Sequence, residues 1–288
     1  MKRFLLPVDF SEGTLVNCKF AFYLAGSEKT EIHLFHIFPD QLMVPDSSFP
    51  AGIDSDTFLN AEFINELREQ AEKNILDLSK QVKELIKKQG IENISVKHMV
   101  RGGDPEWEIQ DICEKIKPEL IIMGTRGEGK KGFLEGSMAG KLMSKAPVPV
   151  IAVPDSISKA RMKNVMYATN FSKGDFHQIN HMINILKPIK NEFSIVHFLL
   201  KGKNIESKEE MDELKNALIN KNPHEKFHFY ILDAMSKEEV LREFTTKHKI
   251  DMIAFIAHKT NIFKNLFSNQ IRKKDFFKLE LPMLALHE

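Results

Sequence analysis

Cysteine is nearly missing from this 288-residue chain, and the two that occur, Cys18 and Cys113, stand far apart and outside any Cys-x-x-Cys pattern. That excludes a disulfide scaffold and fits free thiols in a reducing compartment. No apolar run approaches the ~18 residues that a membrane-crossing helix needs. The apolar start of "MKRFLLPVDF" ends at Val8, before Asp9, which is too short for the core of a signal peptide. Net charge is only +1, so no global field recruits nucleic acid or an anionic membrane. A cytoplasmic location with no membrane or nucleic-acid partner is the expectation. Tryptophan occurs once and tyrosine three times, against 22 phenylalanines, an aromatic content suited to core packing.

What the chain does have is an internal repeat. "FLLPVDFSEG" (4–13) returns as "VMYATNFSKG" (165–174), and "IHLFHIF" (32–38) as "FSIVHFLL" (193–200), pairing His36 with His197. "PELIIMGTR" (118–126) returns as "IDMIAFIAH" (250–258), and "VPVIAVP" (148–154) as "LPMLALH" (281–287). Four echoes in one order predict tandem copies, residues 1–155 and 163–288, joined near "DSISKARMK".

Within the first copy, short apolar runs predict strands at 3–8, 31–38, 94–100, 119–124 and 148–153. Helical spacing predicts helices at 11–25, 57–89, 105–116 and 135–145. Leu15, Cys18, Phe22 and Ala25 mark the apolar face of the first, with Ser11 as its expected N-cap and Glu12 in the first turn. Residues 39–56 read as a loop, in which Met43, Val44 and Phe49 either close a ligand pocket or dock on the second copy. Strands alternating with helices imply right-handed crossovers and a mostly parallel sheet covered on both faces. Each copy is thus an α/β unit of five strands. Its ligand belongs beyond the strands' carboxyl ends, where strand order reverses. Asp9, Ile37 and Gly124 fall at such ends.

The stretch "GTRGEGKKGFLEGS" (124–137) is the main functional signal. It is not a P-loop, because Phe133 stands where that motif requires lysine. "GEGKKG" does satisfy G-x-G-x-x-G, with Asp155 about where a ribose-binding acid would sit. It lies on the fourth strand, however, and the fold restarts too soon for a dinucleotide domain. Glycines let main-chain amides approach an anion, and Gly136–Ser137 would open a helix whose free N–H groups favour negative charge. Lys130 and Lys131 add charge at the rim.

These features resemble the universal stress protein family, twice over. The first strand ends in Asp9. The late strand is followed by Gly124, Gly127, Gly136 and Ser137 in the manner of G-x-x-G-x9-G-[ST], and a "PVPVIAVP" tail closes the copy. The resemblance implies two tandem five-stranded α/β sandwiches of the adenine nucleotide alpha hydrolase-like kind. In ATP-binding members the glycines surround the phosphates and the aspartate lies near the adenosine. The resemblance also assigns Ile37 to main-chain contact with the base and Pro7 and Met123 to further contact positions. It implies a regulatory role in stress response, ATP with or without Mg²⁺, and pairing of the two domains through 148–153 and 281–287, and it leaves a homodimer open. One departure stands out: eight residues, not nine, separate Gly127 from Gly136. A module for structural or protein contacts with a vestigial loop is the alternative.

The second copy reads as degenerate. Asn170 replaces Asp9, Ile256 replaces Gly124, Lys259 replaces Gly127, and Asn269 and Gln270 replace Gly136 and Ser137; 257–274 contains no glycine. It is expected to bind no nucleotide through this loop. No nucleophile–base set can be assembled from spacing, so any ATP hydrolysis is expected to be slow. His177 and His181, four apart on a helix, lack a third ligand and read as surface histidines. His36 and His197 read as packed, hydrogen-bonded residues. Glu62, Glu66 and Glu69 read as a solvated face, and 261–278 as an amphipathic helix with its phenylalanines inward rather than a nucleic-acid face.

Overall fold

The computed structural model describes residues 1–40, 53–125, 138–157, 161–199, 206–233, 237–257 and 279–287. The first half runs β1 (Lys2–Pro7), α1 (Gly13–Ala25), β2 (Thr30–Phe38), α2 (Ile53–Lys88), β3 (Ile94–Gly102), α3 (Pro105–Ile116), β4 (Leu120–Gly124), α4 (Met138–Lys145) and β5 (Val150–Val153). The second runs β6 (Asn164–Thr169), α5 (Asp175–Leu186), β7 (Glu192–Leu199), α6 (Glu206–Lys221), β8 (Lys226–Asp233), α7 (Lys237–Lys247), β9 (Met252–Ile256) and β10 (Met283–Leu286).

Among the described residues the strands form one ten-stranded sheet, ordered β3-β2-β1-β4-β5-β10-β9-β6-β7-β8. Pairing is parallel inside each half. The halves meet where β10 runs antiparallel to β5, with Met283 opposite Ala152 and Ala285 opposite Val150. These strands belong to the stretches 148–153 and 281–287. The carboxyl ends of the two halves therefore lie at opposite ends of that seam. Strand order reverses between β1 and β4, and again between β6 and β9, creating a switch point in each half.

The strands are apolar on both faces because both faces are covered. Phe4 and Leu6 pack into one layer with α1, α2, α5 and α6. Leu5, between them, packs into the other with α3, α4 and α7. Cys18 and Cys113 are buried, one in each layer, and burial pushes both thiols up to about 12. No described helix is long and apolar enough to cross a membrane.

Two local expectations are corrected. The helix placed at 57–89 begins at Ile53, so the last part of the expected 39–56 loop is helical. Met43, Val44 and Phe49 lie outside the described residues. Ser11 does not cap α1: its hydroxyl donates to Asp9 Oδ1 at 2.7 Å. The helix starts at Gly13, preceded by Glu12, which makes no side-chain cap. A short-range partner two residues back competes successfully with the helix amides for that hydroxyl.

The seam is reinforced beyond strand pairing. Gly26 has φ +52, and a Cβ there would come within 2.7 Å of Pro188 Cβ, so the turn after α1 needs glycine for conformation and for space. Lys2 Nζ donates to Ile185 O of the second half at 3.4 Å. At the far end, His287 Nε2–H donates to Met143 O at 3.0 Å and Gln178 Nε2 donates to His287 O at 2.7 Å.

Burial depresses the His287 imidazole below its ordinary value of 6.5, outweighing the opposing pull of the Met143 carbonyl. The folded state thus binds fewer protons than the unfolded chain just below that value. Stability is complete above it and declines as pH falls through the folded value. The urea midpoint is expected to drop on acidification from pH 7.5 to 5.5, and less steeply in His287→Gln, which keeps a donor for Met143 O. Identical pH slopes in the two proteins would contradict this role.

Candidate functional site: three strand ends of the first half

The sequence "DFSEG" after β1 folds into a tight turn. Asp9 is half-buried, and its Oδ1 accepts the Ser11 amide (3.1 Å), the Ser11 hydroxyl (2.7 Å) and the Thr14 hydroxyl (3.3 Å). Phe10 has φ 62, a left-handed conformation costing about 1–2 kcal/mol for a residue with a Cβ. Its ring rests on His36, centroids 4.3 Å apart. His36 Nδ1–H donates to Val8 O at 2.8 Å, which fixes the orientation of the ring. The carboxylate is therefore held by its own turn and its orientation is set by packing one strand away.

The second half repeats the frame but not the charge. Phe171 has φ 58 and stacks on His197 at 4.4 Å, and His197 Nδ1–H donates to Thr169 O at 2.9 Å. The carboxylate has moved. Asp175, at the position of Thr14, is 3% exposed. It accepts the Tyr167 hydroxyl (2.6 Å), the Thr169 hydroxyl (2.5 Å) and the Ser172 amide (2.9 Å). Tyr167 and Thr169 stand where the first half has Leu6 and Val8. The only signal for this network in the sequence was that pair of polar replacements in an apolar strand, and the sequence reading missed it.

Of the residues singled out from sequence, Pro7 closes β1 opposite Phe35, and Ile37 lies on β2 opposite Arg101. Met123, 7% exposed, and Gly124 close β4 opposite Ala152 and Val153. Because β2, β1 and β4 are neighbours, the structure brings Pro7, Asp9, Ile37, Met123 and Gly124 to one edge, about 10 Å across at the usual strand spacing. Gly127, Gly136 and Ser137 lie outside the described residues, as do Lys130, Lys131, Lys259, Asn269, Gln270 and the 261–278 stretch. Ile256, in place of Gly124, is 5% exposed.

Two further groups share this edge. Beyond β3, Gly102 and Gly103 bring the chain past Phe38 and Asp40: a Cβ on Gly102 would lie 2.8 Å from Asp40 Cβ, and Gly103 has φ +138. Asp104 then caps α3, accepting the Glu106 and Trp107 amides at 2.9 and 3.1 Å. "GGDP" between a strand and a helix is a legible start signal, and α3 begins at Pro105 as expected. Asp155 lies against the start of α1, its Oδ1 2.4 Å from where a Gly13 Cβ would be. It thus sets negative charge at a helix start with no acid in its own first turn. His177 and His181 are both exposed on α5, as are Glu62, Glu66 and Glu69 on α2.

A profile of the Universal stress protein family matches residues 1–154. The chain belongs to this family. Universal stress protein YxiE of Bacillus subtilis is 24% identical over 152 residues, covering 52% of this chain and 97% of its own length. Universal stress protein MJ0577 of Methanocaldococcus jannaschii is 27% identical over 160 residues, covering 53% of this chain and 94% of its own. These family members match about half of the chain, as a tandem arrangement requires. A solved universal stress protein from Archaeoglobus fulgidus superposes with a TM-score of 0.66 at 19% identity, covering 99% of this chain and 96% of its own. That likeness speaks for the α/β fold over the whole length.

Proposed function

We propose that the first half, residues 1–155, binds an adenine nucleotide, ATP in the first instance and with or without Mg²⁺, at the β2-β1-β4 edge, and that occupancy is a regulatory signal. The observation that carries this reading is the half-buried Asp9 carboxylate, oriented by its turn beside Gly124 at the switch point of the sheet. The carboxylate would accept a ribose hydroxyl, the Ile37 main chain would meet the base, and the amides of the glycine loop would hold the phosphates. Family membership supports the reading. In the second half the corresponding carboxylate is absent from the mouth and Asp175 is consumed by buried donors, so one nucleotide per chain is expected.

Titration calorimetry with ATP tests this. Asp9→Ala should weaken binding about tenfold or more, the usual effect of losing a charge-assisted hydrogen bond. Asp9→Asn keeps the Oδ1 acceptor that holds the turn and isolates the charge. Equal affinity in all three proteins, or binding in none, would remove the proposal. The shortened spacing between Gly127 and Gly136 favours a second reading, a contact module with a vestigial loop. Native mass spectrometry of the purified chain separates the two, since a nucleotide-sized adduct is incompatible with the second.

A further inference from the structure

The second half has a cavity of its own, independent of the nucleotide reading. It measures about 390 Å³, inside the range of about 300–1,000 Å³ usual for small-molecule sites. It lies where α7 ends and the chain enters β10, and β10 begins beside the end of β5 at the seam. Its polar lining residues are Arg242, Thr246 and Lys249, all exposed, and the buried Thr245. The remaining lining is aliphatic: Ile250, Leu279 and Leu281.

A helix carboxyl end normally presents bare carbonyls, which repel anions. Here they are used. Lys249 has φ 49, and its amide donates to Thr246 O at 3.2 Å while the Ile250 amide donates to Thr245 O at 2.9 Å. This Schellman turn ties up the Thr245 and Thr246 carbonyls beside the cavity. The first half has the same left-handed turn at Lys117, φ 47, but different chemistry around it. Counting back from the paired positions Lys117 and Lys249, the counterparts of Arg242, Thr245 and Thr246 are Gln110, Cys113 and Glu114. An acid and a thiol on one side face a guanidinium and two hydroxyls on the other. The half that lost the glycine loop has gained positive charge at this place.

We propose that this cavity binds a small amphipathic carboxylate, its head held by Arg242, Lys249 and Thr246 and its aliphatic body on Ile250, Leu279 and Leu281. A lining that combines two cations with branched aliphatics suits that class, whereas a bare phosphate would leave the apolar lining unused. The test is calorimetry of the full chain with octanoate, acetate and inorganic tripolyphosphate. Octanoate is expected to bind at least about tenfold more tightly than acetate, and the double variant Arg242→Gln/Lys249→Gln to lose about tenfold or more in octanoate affinity. The melting temperature of the double variant, measured alongside, separates a loss of fold from a loss of binding. Thr246→Asp, which sets a negative charge at the mouth, should weaken octanoate binding in the same way. No octanoate binding, or affinity unchanged in both variants, would overturn the proposal. So would displacement of octanoate by tripolyphosphate at equal concentration, which would mark a polyanion subsite instead. Octanoate affinity unaffected by Asp9→Ala separates this outcome from that of the nucleotide site.

Discussion

Replacing Asp175 with alanine is expected to destabilise the protein by about 4 kcal/mol, because three donors lose a shared acceptor inside the fold. The Tyr167 hydroxyl belongs to a residue with no exposed surface, so water cannot replace the carboxylate without opening β6. Thr169 is 1% exposed and relays the network: its Oγ accepts the Phe171 amide at 2.9 Å and donates to Asp175 Oδ2. Losing the carboxylate therefore also loosens the left-handed Phe171 turn and its stacking on His197. Adding Tyr167→Phe and Thr169→Val removes the two stranded hydroxyls but leaves the Ser172 and Phe171 amides unpaired, so about half of the loss should be restored. Urea unfolding of the three proteins decides this. A loss below about 1 kcal/mol for Asp175→Ala, or no recovery in the triple variant, would mean that the network is not a structural keystone of the second half.

Leu284→Ala should cost about 3 kcal/mol, within the range for truncating a leucine that has no room to be replaced by neighbours. Leu284 has no exposed surface and sits on β10, opposite Ile151 of the first half and Ala254 of the second. It packs in the layer containing α1 and α5. The cavity it leaves is thus shared by both halves. Unfolding should stay a single transition with a lower midpoint, because the halves are also joined by the Gly26–Pro188 contact and by the Lys2–Ile185 and His287–Met143 hydrogen bonds. Amide exchange followed separately in β1 and β6 is the check. Two resolved transitions, or protection lost in one half alone, would show that the halves are energetically separate.

Both predictions concern features that sequence periodicity reveals unevenly. The helix over Pro105–Ile116 was legible to the residue, because Asp104, Pro105 and Glu106 supply a cap, a fixed φ and first-turn charge locally. The start of α1 was not, because whether Ser11 caps a helix or folds back on Asp9 depends on a turn locked by His36 from the next strand. Ile53 reads as loop because "IDSD" follows turn residues, although the helix already includes it. Asp9, Ile37 and Gly124 could be assigned to one edge from alternation of strands and helices alone, since a switch point follows from the order of crossovers. The exchange of the Asp9–Thr14 pair for Asn170–Asp175 was visible only in part: the lost charge was noted, and its reappearance five residues later was not.

The sequence by itself determined the repeated α/β plan, the two-sided burial of the strands, the switch-point edge and the membership of a family, because each rests on local periodicity or on motifs a few residues long. The resemblance already implied that 148–153 and 281–287 join the halves, but tertiary structure alone decided that β5 and β10 run antiparallel with Met283 opposite Ala152, since direction and register leave no signature in either strand's composition. It also decided where carboxylates end up. A side chain's charge is written in the sequence, but whether it faces a mouth, as at Asp9, or is spent on buried hydroxyls, as at Asp175, is set by donors that only folding brings within 3 Å.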